Sequence, residues 1–263
     1  MSSSRQTLMT FHQKEAGPEP KRMGMHIHDC YELFCFLSGH AHYYIEGNIY
    51  PLKAGDILLI KKAETHNLIA DPKTAPSRFV IQFHESDIYD TPQQDILRFL
   101  NDRPIGQQNR FPASLFKDKP WLYYLQQCIN TADIHAKRLY LSTILRELYE
   151  NRSRIIARKP ERDRLADILE YVNTHLSHNI TVEDICQQFY ISQSYLNQKF
   201  RLLTGASVWE YITTKRMFHA KDLLEQGQTP TDVSTLCGFN DYSAFYRAYR
   251  RQFGHSPSAD SKK

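Results

Sequence analysis

The sequence lacks a segment that could cross a membrane. No apolar run approaches the roughly 20 residues that a membrane-spanning helix requires. The N-terminal stretch MSSSRQTLMTFHQKEAGPEP also lacks the basic and then apolar segments of a secretory signal peptide. We therefore expect a cytoplasmic protein that has no membrane partner.

Cysteine is scarce and irregularly spaced. The five cysteines form neither a CxxC pair nor an even set that would suit a disulfide framework. They are Cys30, Cys35, Cys128, Cys186 and Cys237. This usage predicts reduced thiols in a reducing compartment.

The excess of one charge sign is small, and the length is the more informative quantity. A formal net charge of +4 permits binding to nucleic acid without requiring it. A chain of 263 residues favours two domains of about 100 to 150 residues each.

The basic run NRSRIIARKPERDR, residues 151–164, contains Pro160 and predicts a linker between the domains. The charges of this run are either solvated or in contact with phosphate. The predicted domains are residues 1–155 and 156–263.

The segment 181–257 contains two copies of a helix-turn-helix pattern. The second helices of the copies align without a gap, so that Leu196 matches Phe245, Phe200 matches Tyr249 and Gly205 matches Gly254. Each copy sets an apolar pair at i and i+4 opposite a polar face. A helix of this kind can pack on a protein core while it lies in a DNA groove.

The polar face of each second helix carries residue types that contact DNA. In the first helix they are Ser194, Asn197, Gln198 and Arg201, and in the second Ser243, Tyr246, Arg247 and Arg250, with Tyr242 at the helix start. Asn and Gln pair with adenine, and Arg pairs with guanine or phosphate. Ser192 is the predicted N-cap of the first helix. The alternative interpretation is a solvated face.

Further residues make this segment resemble the AraC/XylS family of bacterial transcription regulators. They are Gly238-Phe239, Phe253-Gly254 and Pro257, with Arg216, Ala220, Leu223 and Leu224 on a connecting helix predicted over residues 208–225. The resemblance implies base-reading roles for Ser194, Asn197, Gln198, Tyr242, Ser243 and Arg247, and phosphate contacts for Arg201 and Arg250. Tyr190 stands where the family has Gly in the first turn, so that turn should adopt a conformation that a bulky residue tolerates.

The N-terminal half is typical of a β domain. Short β-branched and aromatic runs alternate with Gly-containing breaks, as in a barrel or jelly roll. We predict a hairpin that turns at Gly47-Asn48, an apolar strand over DILLI, and a strand over RFVIQFH with one buried face.

Four residues of this half follow the spacing of the cupin barrel, the usual sensor domain of the resembled family. His26, His28 and Glu32 precede Gly39 as in the first cupin motif, and Gly55 precedes His66 as in the second. His26 and His28 are two apart on a predicted strand, and Glu32 is an even step further on, so all three should share one face. Three imidazoles and a carboxylate suit a divalent transition metal. A polar effector pocket without metal and purely structural histidines are the alternatives.

Two amphipathic helices are predicted between the barrel and the linker. In the second, an apolar stripe comprises Leu141, Ile144, Leu145 and Leu148. We predict that this stripe mediates a homodimer, since relatives of the resembled family commonly dimerise through such helices; packing on the chain's own barrel is the alternative.

These features predict an α+β multidomain chain: an all-β cupin-like barrel with following helices, then an all-α DNA-binding domain of two helix-turn-helix units. The resemblance implies a transcription regulator and not an enzyme, with promoter DNA, RNA polymerase and a small effector such as a sugar or related metabolite as partners. One alternative is a metal-dependent cupin isomerase or oxygenase with an accessory DNA-binding module. Another is a regulator whose ligand-free barrel serves only for assembly.

Overall fold

The computed structural model describes residues 9–14, 26–71, 73–89, 94–155, 161–162, 164–178 and 180–261. The chain divides into two compact units, Met1–Glu161 and Arg162–Lys263. Of the predicted linker, residues 156–160 and 163 lie outside the described residues, and the boundary after residue 155 stays a prediction. Among the described helices, none has the length and apolar character needed to span a bilayer.

The first unit is built on two antiparallel sheets. Its strands are β1 (Met9–Lys14), β2 (Tyr31–Ser38), β3 (Ala41–Ile45), β4 (Asn48–Pro51), β5 (Ile57–Ile60), β6 (His66–Ala70), β7 (Ser77–Phe83) and β8 (Arg110–Phe111). A further two-residue strand, β9 (Glu161–Arg162), contains the last residue of the first unit and the first residue of the second. One sheet has the order β1-β7-β2-β5-β8, and the other β6-β3-β4-β9. The predicted β-sheet domain is therefore confirmed.

Strands β2 and β7 send alternate side chains into two different cores. Leu33 and Ile81 pack in a core that includes the helices, whereas Phe34 and Val80 face the second sheet. Neighbouring residues of a strand point to opposite faces, so both faces of these strands are covered. The prediction of one buried face for RFVIQFH is therefore wrong, and the inner face is free to line a pocket between the sheets.

The hairpin between β3 and β4 turns at Glu46-Gly47. Both residues have positive φ, 48° and 77° respectively, as a two-residue type I′ turn requires. Asn48 is already paired with Ile45 as the first residue of β4. The predicted turn at Gly47-Asn48 is therefore wrong by one residue.

Three helices cover the outer face of the five-stranded sheet. They are α1 (Asp95–Asp102), α2 (Trp121–Asn130) and α3 (Ile134–Glu150). The stripe on α3, composed of Leu141, Ile144, Leu145 and Leu148, is fully buried in the same core as Leu33 and Ile81. The prediction that this stripe mediates a dimer is wrong, because the apolar outer face of the sheet already covers it.

The second unit consists of helices. They are α4 (Arg164–Thr174), α5 (Val182–Phe189), α6 (Gln193–Thr204), α7 (Val208–Glu225), α8 (Pro230–Leu236) and α9 (Tyr242–Phe253). The pairs α5–α6 and α8–α9 are the two helix-turn-helix units, and α7 connects them with the predicted bounds. The second helices end at Gly205 and Gly254, both of which are left-handed, with φ of 72° and 79°. The predicted helical domain is confirmed.

Arg216 of α7 holds the second unit together at its centre. Its guanidinium donates to the carbonyl oxygens of Leu176 (2.9 Å), His178 (2.7 Å) and Gly238 (3.0 Å). Gly238 has a φ of 73°, and a Cβ there would lie 2.9 Å from a guanidinium nitrogen of Arg216. The close approach explains why a glycine ends the turn after α8.

Candidate functional sites

Helix α6 presents a polar face opposite two buried side chains. The side chain of Ser192 accepts a hydrogen bond from the backbone N–H of Tyr195, 3.2 Å away, and is the predicted N-cap. Leu196 and Phe200 are fully buried. The proposed DNA-contacting residues point outward: Ser194, Gln198 and Arg201 are exposed, and Asn197 is half-buried.

Helix α9 repeats this arrangement with more basic residues. The Asp241 carboxylate accepts from the backbone N–H groups of Ser243 and Ala244 and caps the helix. Phe245 and Tyr249 are fully buried. On the opposite side Tyr242, Ser243, Arg247 and Arg250 are exposed, and Tyr246 is half-buried. The Tyr249 hydroxyl donates to Asp260, 2.6 Å away, which ties the C-terminal segment to this helix.

The turn between α5 and α6 has a strained backbone at Tyr190. This residue has φ 51° and ψ 50°, in the left-handed region, and its side chain is 92% exposed. The expectation that the turn adopts a conformation suited to a bulky residue is wrong, because the turn keeps the glycine-like conformation. The hydrogen bonds of the turn, including Ile191 N–H to the Cys186 carbonyl at 3.1 Å, hold it there.

A cavity of about 180 Å³ lies between the two sheets of the first unit. All four residues that follow the cupin spacing, His26, His28, Glu32 and His66, line it. Its other polar lining residues are Tyr43, Arg78 and Gln82, and its apolar ones are Phe34, Leu68 and Val80. These six residues were not predicted from the sequence, although the two-residue period of β2 and β7 places Phe34, Val80 and Gln82 on the face that lines the cavity.

Glu32 is the centre of the polar network in this cavity. Its Oε2 lies 3.1 Å from Nε2 of His28 and accepts from the amide of Gln82 at 3.0 Å. Its Oε1 accepts from the Tyr43 hydroxyl at 3.2 Å. Burial alone would raise the pKa of Glu32, but the hydrogen bonds from His28 and Gln82 and the charge of His28 act against it, and the pKa is lowered to about 2. The buried carboxylate is therefore ionised.

His66 is held as a neutral imidazole with one nitrogen available. Burial lowers its pKa. Its Nδ1 lies 2.8 Å from the carbonyl oxygen of Glu64, which can only accept, so Nδ1 carries the proton. Nε2 is therefore unprotonated and lies 3.9 Å from Oε2 of Glu32. This nitrogen can accept a hydrogen bond or coordinate a metal.

The structure brings three of the four cupin-spaced residues together. Ligand atoms of His28, Glu32 and His66 lie within 4.8 Å of one another. His26 also lines the cavity but is not part of this cluster. Its backbone pairs with that of His66, and the centres of the two imidazole rings lie 6.0 Å apart. Both His26 and His28 precede β2, so the prediction that they share a strand with Glu32 is wrong.

Family models match both units of the chain. The model of the AraC-like ligand binding domain matches residues 14–111, and that of a helix-turn-helix domain matches residues 185–263. The chain belongs to the AraC family of transcription regulators. As an AraC-family regulator it has a ligand-binding domain, which contains the cavity, and a DNA-binding domain, which contains α6 and α9.

Several known proteins are similar to this chain. "Probable transcriptional regulator LumQ" from Photobacterium leiognathi is 33% identical over 38% of this chain and 41% of its own length. "Uncharacterized HTH-type transcriptional regulator YdiP" from Escherichia coli is 25% identical over 91% of this chain and 82% of its own. A structure of ToxT from Vibrio cholerae with a bound unsaturated fatty acid has a TM-score of 0.43 and 14% identity, and covers 98% of this AraC-family chain and 96% of its own.

Proposed function

We propose that this AraC-family regulator binds a specific promoter sequence through α6 and α9. The observation that carries the proposal is the repeated arrangement of an outward polar face opposite a fully buried pair, Leu196 and Phe200 in one helix and Phe245 and Tyr249 in the other. A buried pair fixes the helix on its core, so its opposite face can enter the major groove. Regulation of this kind takes place in the cytoplasm, on promoter DNA.

The residue types divide the proposed contacts into two classes. Asn197 and Gln198 can pair bidentately with adenine, and Arg247 with guanine. Arg201 and Arg250, one turn further along their helices, contact phosphates and set the register. Ser194, Tyr242, Ser243 and Tyr246 complete the surface with hydroxyl groups. A homodimer would strengthen binding by tethering two such surfaces, and contact with RNA polymerase would convert binding into regulation.

We propose in addition that the barrel cavity binds a small polar effector. Glu32 and His66 offer acceptors, whereas Arg78, His28 and Gln82 offer donors. Apolar side chains, including Leu68 and Val80, line the rest of the cavity. A molecule with several hydroxyl groups on a compact carbon frame, such as a sugar or a related metabolite, suits these groups and a volume of about 180 Å³.

A divalent transition metal is the second candidate for this cavity, favoured by the convergence of His28, Glu32 and His66. Two imidazoles and a carboxylate are a common ligand set for such ions and leave positions open for an effector. The hydrogen bond from His66 to the Glu64 carbonyl orients Nε2 for coordination. His28 would have to release the proton that it shares with Glu32, so metal affinity should rise with pH.

The test begins with selection of binding sites by the full-length protein from random DNA duplexes. We expect one enriched sequence, bound with nanomolar-range affinity that falls steeply as salt rises. A panel of sugars and related metabolites, with and without a chelator, is then scored for a change in this affinity. Metal analysis and a turnover screen of the same preparation address the enzyme alternative.

Two variants localise the response. His66→Ala should retain DNA binding and lose the effector response, and His42→Ala, at an exposed position of β3, should retain both. Failure to enrich any sequence would contradict the DNA-binding proposal. A full effector response in His66→Ala would remove the cavity as the sensor and favour a barrel that serves only for assembly.

A further inference from the structure

A second and larger cavity lies on the first unit, away from the barrel interior. Its volume is about 320 Å³, and it shares no lining residue with the first cavity. It is formed by α1, by the loop that follows α1, and by the C-terminal end of α3. Its charged lining residues are Asp95, Arg98, Asp102, Arg103 and Arg152.

Arg103 is a buried lining residue with an unused donor. Only 4% of its surface is exposed. Its guanidinium donates to the carbonyl of Gln107 at 2.9 Å and lies 3.4 Å from the carboxylate of Glu64. Its Nε has no hydrogen-bond partner within the described part of the chain. The Nε atom is itself buried, and Gln107 and Glu64 hold the rest of the guanidinium, so Arg103 forms a fixed part of the cavity wall.

Two further arginines face the same cavity. The guanidinium of Arg152 stacks 3.7 Å from the centre of the Tyr149 ring and donates one hydrogen bond to the Tyr149 carbonyl. Stacking fixes the plane of the guanidinium and leaves its other edge able to donate. Arg98 is exposed on α1, and it forms no ion pair within 4 Å with Asp95 or Asp102, its neighbours on the helix, among the described residues.

We propose that this cavity is a second ligand site, which binds the carboxylate or phosphate group of a small metabolite. Arg98, Arg103 and Arg152 line the cavity, and the side chains of Arg98 and Arg152 are the accessible ones. Guanidinium forks match planar oxyanions in geometry and charge. The two aspartates reduce the net positive charge, so a small anion is favoured over a polyanion such as the DNA backbone. The site is separate from the effector cavity of the proposed function and does not depend on it.

The place of this site in the chain gives it a regulatory use. Arg152 lies directly after α3, in the last described turn before the residues that lead to the second unit. A bound anion would link α1 and the loop after it to the start of that connection. The site therefore gives the regulator an input for an anionic metabolite, in addition to the barrel effector.

The test measures binding of two probes, inorganic phosphate and succinate, to the full-length protein by titration calorimetry at constant ionic strength. We expect saturable binding of at least one probe. Arg152→Gln should weaken that binding about tenfold or more, as for the loss of charge-assisted hydrogen bonds. Arg98→Gln should weaken it in the same direction. Arg154→Gln, an exposed arginine of the same turn that does not line the cavity, should change it less than about twofold.

A further variant separates the two cavities. His66→Ala removes a lining residue of the barrel cavity and should leave anion binding unchanged, even where it removes an effector response. The probe that binds identifies the oxyanion as a carboxylate or a phosphate. Absence of saturable binding for both probes overturns the proposal. So does equal weakening in Arg152→Gln and Arg154→Gln, or loss of binding in His66→Ala with full binding in Arg152→Gln.

Discussion

The Nε2 atom of His28 lies 3.1 Å from the Oε2 atom of Glu32, in the cavity between the two sheets. Burial alone would lower the pKa of His28, but hydrogen bonds to Cys30 and Glu32 outweigh it and raise the pKa to about 10. The two residues therefore form a partly buried ion pair, and removal of His28 would leave the buried charge of Glu32 without its partner.

The ion pair predicts a specific dependence of stability on pH. Because the folded pKa of His28 lies above its ordinary value of 6.5, its stabilisation is complete below about pH 6.5 and declines as the pH rises towards 10. In the presence of a chelator, the gap in Tm between wild type and His28→Asn should narrow from pH 6 to pH 9. The gap for His42→Asn, at an exposed position, should stay constant. A His28→Asn gap that is constant or widens with pH would show that the pair is not ionised.

Arg247 and Arg201 should differ in what they contribute to DNA binding. Arg247→Ala should cost about 1–3 kcal/mol on the selected site and relax the preference at one base position, as for a lost bidentate contact. Arg201→Ala should weaken binding to all sequences alike and reduce the salt dependence. Both are measured by titration against the selected duplex and its single-base variants. Unchanged affinity and base preference in Arg247→Ala would rule out the assignment of α9.

The buried stripe on α3 predicts a loss of stability and not a change of assembly. Ile144 is 2% exposed, so Ile144→Glu would place a carboxylate in the core and should destabilise the first unit by about 4 kcal/mol or more. Leu139→Glu lies on the same helix at a position that is 58% exposed and should cost less than about 0.5 kcal/mol. Urea unfolding measures both. If the Ile144→Glu variant were folded and monomeric, the stripe would instead be a dimer interface.

The left-handed Tyr190 offers a stabilising substitution. Tyr190→Gly removes about 1–2 kcal/mol of backbone strain, partly offset by the greater freedom of glycine in the unfolded chain, which leaves a gain of about 0.5–1 kcal/mol. Tyr190→Ala keeps the strain and should bring no gain. Thermal unfolding followed by circular dichroism distinguishes the two, and equal stability of both variants would mean that the turn stores no strain.

The helical domain was predictable because its signals are local. The capping role of Ser192, the buried pair Leu196 and Phe200, and the bounds of α7 all follow from residues within a few turns of one another. The order of the two domains, first β and then helical, could also be predicted from the residue composition and from the spacing of the apolar residues.

The β-sheet domain was less predictable because the surroundings of its residues are set by partners that are distant in the sequence. Arg78 and Gln82 reach the cavity through the pairing of β7 with β2, which brings together residues some 50 positions apart. The spacing of the apolar residues in the α3 stripe is the same whether the stripe packs on a sheet of its own chain or on a second chain. The His26–His66 backbone pairing, which sets His26 apart from the cluster, likewise depends on a long-range contact.

Glu64 contacts one lining residue of each cavity, His66 and Arg103. Its carbonyl oxygen accepts from His66 on the barrel side, and its carboxylate accepts from the backbone N–H of Gly106 at 2.8 Å and meets Arg103 on the other side. One buried residue thus acts as a fixed partition: it touches a wall residue of each cavity, and both of its carboxylate oxygens are already held by neighbouring groups. Replacing Glu64 would therefore disturb both walls at once, whereas filling either cavity leaves the other with its own set of lining residues.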